Sequence, residues 1–462
     1  MTIRLRPFQA VLLYTSRLRP NFRLPVMNPI TVVPAGIPIA VQIRHSDIGR
    51  YEQAMIIPIV GVNGVDIRPG IGGSVQERLK HFSGNNILVF RQLIFRCCSL
   101  PASTGAELRT YPFPEDAFSH DPVLKPAEYK HPYQFVYMMV GGIIRKIIPE
   151  VLRVTANATF DYLIFDSLMG WGGTIIAEKL GIPAVCSIAS FAFVEPLGTD
   201  QDMDENRKDV KELYEATMKL TRQLADEFQV RVPAMDEIAR HEGRLKLVYT
   251  SRYFQPQAEK LDDSFIFAGP SIVPRQDAPS FPFEQLRARH QQTVYIAMGT
   301  ILNKDLDFYK LCFEAFQDLP VTFVLSSGKH TDMEPLMDRI PDNFIVKPYV
   351  PQLEMLQHAD AFITHAGMNS TSEALYYNVP LVMIPLTSDQ PLVAKRVQEL
   401  GAGITLDKNN LSPAALRAAL VEVLGNPAYR QQAHVIGESL RQAGGYKRAA
   451  DAITNYFAAI NR

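Results

Sequence analysis

The chain has 462 residues, which is enough for two domains with separate hydrophobic cores. With 47% hydrophobic and 21% charged residues, its composition is that of a globular protein and excludes a wholly disordered chain. The formal net charge of −1 argues against a nucleic-acid-binding protein, because such proteins normally carry a basic excess.

The apolar runs are too short for a membrane span, and the cysteines do not indicate a metal site. The longest apolar run near the N-terminus, residues 30–43, is interrupted by Pro34 and Pro38, whereas a span needs about 20 apolar residues. Metal-ligand spacing is missing among the four cysteines, which are Cys97, Cys98, Cys186 and Cys312. We therefore expect a soluble, cytoplasmic protein with reduced thiols.

The first 50 residues differ from the rest of the chain. They contain seven arginines and a single acidic residue, Asp47, and they are rich in proline. An arginine-rich, acid-poor start is one property of targeting segments. The alternative is an atypical extension that arose from a misassigned start or a shifted reading frame. In either case we expect residues 1–50 to pack poorly on the rest of the chain.

From residue 54 onward, predicted strands and helices alternate. Residues 54–60 form an apolar run typical of a buried strand, and 75–80 have the pattern of a helix. A strand at 162–165 ends in Asp166 and is followed by a helix over 171–180 and a strand at 181–185. This alternation predicts right-handed βαβ crossovers and a parallel sheet. The polar segment 200–227 predicts a helix that either covers a ligand cleft or simply exposes a solvated face.

Four prolines mark a linker, and a second α/β unit follows it. The prolines lie at 270, 274, 279 and 282. The second unit begins with the apolar run 294–297. Further strands are predicted at 321–325, 344–346, 361–364 and 381–384.

The most informative segment is 365–373, with the sequence HAGMNSTSE, between a predicted strand and a predicted helix. A turn of small residues at that place leaves backbone N–H groups at the positive end of the helix, which favours an anion. Gly367 allows close approach of a ligand, and Glu373 is a hydroxyl acceptor about one turn into the helix. The pattern predicts a nucleotide diphosphate site with a ribose acceptor. The alternative is a capped helix without a ligand.

Two flanking segments support the nucleotide interpretation. Residues 348–352 form a loop after one predicted strand, and Asp389 and Gln390 follow another. Polar residues at the carboxyl ends of parallel strands converge on the crevice in which open α/β sheets bind ligands.

The run 348–390 resembles the donor-binding signature of the UDP-glycosyltransferases (glycosyltransferase family 1), with the bacterial macrolide glycosyltransferases as the nearest branch. The resemblance implies an α/β protein of the GT-B fold, with two facing Rossmann-like, doubly wound domains and an interdomain cleft. The implied organisation is an atypical extension (1–50), an N-terminal acceptor-binding domain (51–270), a linker (271–288), a C-terminal nucleotide-sugar-binding domain (289–445) and a helix that crosses back to the N-terminal domain (446–462).

The resemblance also implies roles for single residues. Gln352 and the backbone of the loop around Val350 would meet the uracil, without the stacking that a tryptophan supplies in plant members. Asp389 and Gln390 would bind hydroxyls of the donor sugar, and Glu373 those of the ribose. The residues implied for the diphosphate are His365, Gly367, Asn369, Ser370 and Thr371. Thr300 either assists them or merely ends a strand.

The catalytic base is where the sequence departs from the family pattern. Members carry a histidine in a Gly-His-x-x-Pro loop, oriented by an aspartate further along the chain. Asp166 matches that aspartate, or is a buried carboxylate that caps the following helix. In the loop 64–69, Asp66 stands where the histidine belongs. An aspartate is a weaker base near neutral pH, although burial beside Asp166 would raise one of the two pKa values. The alternative is that Asp66 is an ordinary loop residue that faces solvent.

We therefore expect an inverting hexosyltransferase that uses a UDP-sugar and a hydrophobic acceptor, such as a macrolide or a phenolic compound. The sequence predicts neither a metal nor a cofactor, because helix-end and side-chain donors can replace a cation at the diphosphate. The alternative is a catalytically impaired nucleotide-sugar-binding protein. A nucleotide-sugar epimerase is a third hypothesis, against which Asp389 and Gln390 weigh.

Overall fold

The structure is a computed structural model. It describes residues 131–195, 207–273, 280–289, 291–299, 305–328 and 331–460, and the backbone of four earlier strands. The described residues form two compact units. The first contains those up to Leu247 together with Lys260–Ile266, and the second contains Val248–Glu259 and those from Phe267 onward.

The first sheet consists of β1 (Ile39–Ile43), β2 (Gln53–Ile57), β3 (Asn86–Phe90), β4 (Ala106–Thr110), β5 (Tyr162–Asp166), β6 (Ala184–Ile188), β7 (Leu245–Val248) and β8 (Phe265–Phe267). Their order in the sheet is β4-β1-β3-β2-β5-β6-β7-β8. Strand β2 is parallel to both β3 and β5, and β5 is parallel to β6. These strands form the predicted parallel sheet of the N-terminal half.

Strand β1 corrects one expectation. It runs antiparallel to both of its neighbours, β3 and β4, so the sheet is not parallel throughout. It also lies inside residues 1–50; that this segment as a whole packs poorly stays a prediction. A strand needs only about five residues, and the arginines and prolines around this one obscured its apolar pattern. The predicted helix at 75–80 lies outside the described residues.

The second sheet is parallel in every described pairing. It consists of β9 (Gln292–Ala297), β10 (Val321–Ser326), β11 (Phe344–Lys347), β12 (Ala361–Thr364), β13 (Leu381–Met383) and β14 (Gly403–Thr405). The order is β11-β10-β9-β12-β13-β14. Strands β12 and β13 are entirely buried, as expected where helices cover both faces of a parallel sheet. The strands predicted for this half are all present.

Helices connect the strands in both units. In the first they are Pro132–Met138, continued by a π-helical turn into Arg145–Thr155, then Trp171–Leu180, Lys208–Phe228 and Met235–Ile238. In the second they are Phe283–Ala288, Leu306–Phe316, Gln352–Leu356, Met368–Tyr376, Gln390–Glu399, Pro413–Gly425, Pro427–Gln442 and Gly445–Ile460. None of the helices in the described part of the chain is long and apolar enough to cross a membrane.

Two of these helices bear on the predicted organisation. Lys208–Phe228 is amphipathic, with Val210, Leu224 and Phe228 buried, so its charged residues form the solvated face that we considered. Phe283–Ala288 lies within the predicted linker. Its Leu286 is buried, and the ring of Phe283 lies 4.8 Å from that of His358. That the helix Gly445–Ile460 returns to the N-terminal domain stays a prediction.

The helix Trp171–Leu180 packs on β5 through a glycine. A Cβ at Gly173 would overlap the ring of Phe165, which is 1% exposed and cannot move into solvent. The close approach of this helix to the sheet therefore requires a residue without a side chain.

We expect the substitution Gly173→Ala to destabilise the protein by about 1–3 kcal/mol, because it overpacks a filled core. Gly425→Ala is the matched control, since that position is exposed and a Cβ there meets open space. The control should be neutral or gain up to about 1 kcal/mol. Urea denaturation of the three proteins measures both effects, and equal midpoints for all three would contradict the packing.

Candidate functional site

The predicted anion segment begins where β12 ends. Strand β12 lies between β9 and β13, and Thr364 is in register with Ala297 on one side and Met383 on the other. Because the three strands are parallel, the residues that follow them lie at one edge of the sheet. These residues include Gly299 after β9 and His365 after β12.

The helix Met368–Tyr376 begins at the N-cap Gly367, and no described side chain caps it. The first intrahelical hydrogen bond runs from the N–H of Thr371 to the carbonyl of Gly367 at 3.0 Å. Ala366, directly before the cap, has the left-handed φ of 62°. The N–H groups of the first turn therefore point away from the helix without a competing side-chain cap, which is the geometry that binds anions.

His365 lies beside this helix end as a neutral ring. It is half-buried, and burial lowers its pKa from 6.5 to about 4. Its Nδ1 is 3.4 Å from Oγ1 of the buried Thr364. At neutral pH the imidazole thus carries no charge, and it can offer an anion one N–H donor.

Gln352 joins two of the predicted binding residues. Its Nε2 donates to Oε2 of Glu373 at 2.7 Å and to Oγ of Ser370 at 3.3 Å. The loop that carries Gln352 follows β11, which β10 and β9 separate from β12 in the sheet. The short helix Gln352–Leu356 nevertheless packs on Met368–Tyr376. This packing brings together the residues that are predicted to contact the uracil and the ribose.

The other predicted donor-site residues differ in their exposure. Asn369 is exposed at the helix end, whereas Val350 is 1% exposed, so its side chain is not open to a ligand. Thr371 is completely buried, and its Oγ1 has no hydrogen-bond partner among the described residues. Its side chain therefore faces the protein interior. Thr300 lies outside the described residues.

Asp389 and Gln390 begin the helix that follows β13. Asp389 occupies the N-cap position and is half-buried. Gln390 is 2% exposed, and its Oε1 accepts the N–H groups of Leu386 and Thr387 at 2.8 and 3.1 Å. Its carbonyl oxygen thus holds the preceding loop, and its amide N–H₂ is the group that remains for a ligand.

Asp166 ends β5 in the first unit. Its Oδ1 accepts the N–H of Leu168 at 2.9 Å and caps the turn Ser167–Met169. Burial raises its pKa to about 8, although this hydrogen bond opposes the shift. The carboxyl group is therefore mostly protonated at neutral pH. The structure thus shows the capping role that we considered for Asp166. The catalytic role of Asp166 depends on its position relative to Asp66, which lies outside the described residues.

Sequence reasoning missed Tyr295. Its hydroxyl donates to Oε1 of Gln352 at 3.4 Å, and its ring stacks on Phe362 at 4.9 Å. A tyrosine within the otherwise aliphatic run of β9 was the available signal, because a buried tyrosine hydroxyl normally needs a partner.

The described residues include no group of three or more histidine, cysteine, aspartate or glutamate side chains arranged to hold a metal ion. The described cysteines, Cys186 and Cys312, are free and buried.

Comparisons with known proteins agree with the geometry. Residues 324–443 match the family described as erythromycin biosynthesis protein CIII-like, C-terminal domain. The chain is 38% identical to the uncharacterized UDP-glucosyltransferase YojK of Bacillus subtilis (strain 168), over 67% of this chain and 76% of that one. It is 28% identical to the demethyllactenocin mycarosyltransferase of Streptomyces fradiae, over 76% of each. The solved structure of the kitacinnamycin glycosyltransferase is similar with a TM-score of 0.64 and 28% identity, covering 77% of this chain and 88% of that one.

The raised pKa of Asp166 predicts a pH-dependent stability. A carboxyl whose pKa is about 8 when folded and 3.8 when unfolded loses favourable folding energy as pH rises between these values. The amide of Asp166→Asn can still accept the N–H of Leu168 but does not ionise. We expect the variant to gain stability over the wild type from pH 5 to pH 8.5, by on the order of a few kcal/mol.

Urea denaturation at several pH values measures this gain. Asp338→Asn, at an exposed position, is the control and should show no comparable trend. A difference between Asp166→Asn and the wild type that is the same at every pH would contradict a buried, protonated Asp166.

Proposed function

The chain belongs to the UDP-glycosyltransferases of glycosyltransferase family 1, and from this premise we propose that it transfers a hexose from a UDP-sugar to a hydroxyl of a hydrophobic small molecule. The reaction inverts the configuration of the anomeric carbon. The acceptor is of the macrolide or phenolic type and is bound by residues 51–270. The names of relatives such as the mycarosyltransferase support a natural-product acceptor.

The observation that carries the proposal is the open N-terminus of the helix Met368–Tyr376 between His365 and Glu373. Backbone N–H groups, the neutral ring of His365 and the hydroxyl of Ser370 are donors for a diphosphate. Glu373 is 2% exposed and is an acceptor for the ribose hydroxyls. Asn369 adds a donor at the rim, and Asp389 and the amide of Gln390 bind the sugar. No cation is needed, because these donors stabilise the leaving diphosphate.

In the transfer step, the acceptor oxygen forms a bond to the anomeric carbon while the bond from that carbon to the diphosphate breaks. The acceptor proton goes to a base, and UDP leaves with the electron pair. Asp66 is our candidate for the base. A base of this kind contributes about 10²- to 10⁴-fold to the rate. Without a neighbouring carboxylate, Asp166 is mostly protonated at neutral pH. Beside Asp66 it would share one proton with that residue, because two adjacent carboxylates do not both ionise readily.

The alternative is a nucleotide-sugar-binding protein with impaired transfer. It is favoured by the aspartate at the position of the family histidine. Both hypotheses predict binding of UDP, and only the first predicts transfer. An epimerase would instead convert the donor sugar in the absence of an acceptor, which NMR of the incubated donor would reveal.

We expect the wild type to bind UDP in isothermal titration calorimetry. His365→Ala and Glu373→Gln should each weaken the affinity by about tenfold or more, because each removes a hydrogen bond to a charged or buried partner. Thermal unfolding should change little in comparison. The matched controls are His434→Ala and Glu314→Gln, which alter exposed residues on other helices. A folded wild type that does not bind UDP would refute the donor site.

The variant Asp66→His tests the catalytic base. If the aspartate limits the reaction, the histidine should raise transfer to phenolic acceptors by about 10²-fold or more, since its pKa lies near the operating pH. Transfer is measured by chromatography of the glycosylated acceptor, with UDP affinity as the control for an intact donor site. No change in the rate would mean that Asp66 does not occupy the position of the base.

A further inference from the structure

Two glycines enclose the imidazole of His365. A Cβ at Gly367 would lie 2.6 Å from Nε2 of His365, and a Cβ at Gly299 would lie 2.8 Å from the same atom. Real Cβ atoms essentially never approach other heavy atoms so closely. The tip of the ring therefore occupies space that is available only because both residues lack a side chain.

The parallel sheet brings both glycines close to the tip of the ring. Gly367 is two residues after His365 and is the N-cap of the helix Met368–Tyr376. Gly299 lies two residues beyond the end of β9. Strand β9 pairs with β12 through Ala297 and Thr364. The pairing of β9 with β12 thus places Gly299 next to His365.

The two glycines are required for different backbone reasons. Gly299 has the left-handed φ of 78°, which disfavours a residue with a side chain even without a steric contact. Gly367 has φ −62° and ψ 139°, which any residue adopts. At Gly367 the backbone therefore allows a side chain, and it is the close contact with His365 that disfavours one.

We propose that Gly299 and Gly367 form a slot, the glycine slot, that holds His365 with Nε2 at the N-terminus of the helix Met368–Tyr376. Both glycines are thereby positioning residues for the donor diphosphate. The inference rests on the proposed function, since it deepens the role of its donor site.

Position matters here because the ring is neutral. A cation attracts an anion from many directions, whereas a neutral imidazole contributes one directional N–H. Nδ1 lies 3.4 Å from Oγ1 of Thr364. In the tautomer in which this hydroxyl donates to Nδ1, the ring proton is on Nε2. The same atom lies 2.6 Å from the Cβ position of Gly367, the N-cap of the helix. Displacing the ring from the glycine slot removes this donor from the anion without removing the residue.

The first experiment measures UDP affinity by isothermal titration calorimetry for Gly367→Ala and Gly299→Ala. We expect each to weaken binding by about tenfold or more, comparable to His365→Ala. Gly425→Ala controls for the added methyl group, because a Cβ there meets open space. Gly401→Ala controls for backbone strain, because Gly401 has φ 73° and a Cβ there would have its nearest contact, Cγ of Gln432, at 3.4 Å. Both controls should bind UDP as the wild type does.

A double-mutant cycle shows whether the glycines act through His365. In the His365→Ala background the ring is gone, so Gly367→Ala should cause no further loss of affinity. If the loss is the same in both backgrounds, the inference is wrong and Gly367 contacts the ligand directly. Wild-type affinity in Gly367→Ala also overturns the inference, while leaving the proposed function intact. Failure of the wild type to bind UDP refutes the proposed function itself.

A second measurement needs no ligand. Burial keeps the pKa of His365 near 4, so its ring should not titrate between pH 5 and 8 in the wild-type NMR spectrum. In Gly367→Ala the displaced ring should titrate near its ordinary value of about 6.5. The His365→Ala spectrum assigns the resonance. A ring that remains non-titrating in a folded Gly367→Ala variant contradicts the glycine slot even where UDP binding is reduced.

Discussion

The parallel pairing of β12 with β9 and β13 is the constraint on which the donor site depends. It brings the residues after three strands to one edge of the second sheet and fixes Gly299 beside His365, 66 positions further along the chain. Both central strands are buried, so their register is set by packing on two faces rather than by the loops. A change of register by one residue would move the histidine to the other face and remove the anion site.

Burial, more than net charge, determines the protonation of the groups at both candidate sites. Burial lowers the pKa of His365 and raises that of Asp166, so both side chains are mostly neutral near pH 7. In the proposed function, a diphosphate would then be held by directional donors, among which the helix end contributes several without any side-chain charge. The hydrogen bonds from Gln352 to Ser370 and Glu373 restrict the side chains that would hold the phosphate and the ribose. This pre-organisation reduces the entropy lost when a ligand binds.

Much of this could be predicted from particular residues. The apolar runs of the second unit are contiguous and bounded by polar loops, so their strands could be predicted. The small residues of 365–373 indicated the helix start that the structure shows, whereas the anion site there stays a prediction. The hydrogen bonds of Gln352 could not be predicted from the sequence, since its partners Ser370 and Glu373 lie on another helix and become its neighbours only through packing. Thr371 seemed a donor because of its residue type, whereas its position on the helix turns it toward the interior. Strand β1 was missed because arginines and prolines surround it.

The sequence by itself determined the family, the alternation of strands and helices, and the chemical types at the donor site. These depend on local patterns, such as residue periodicity and small residues before a helix, which survive in a linear chain. The tertiary structure decided the protonation of His365 and Asp166, the partners of Gln352 and the enclosure of the imidazole between Gly299 and Gly367. Each of these depends on the distance between atoms that are remote along the chain, and on how much water reaches them, which only the packed fold establishes.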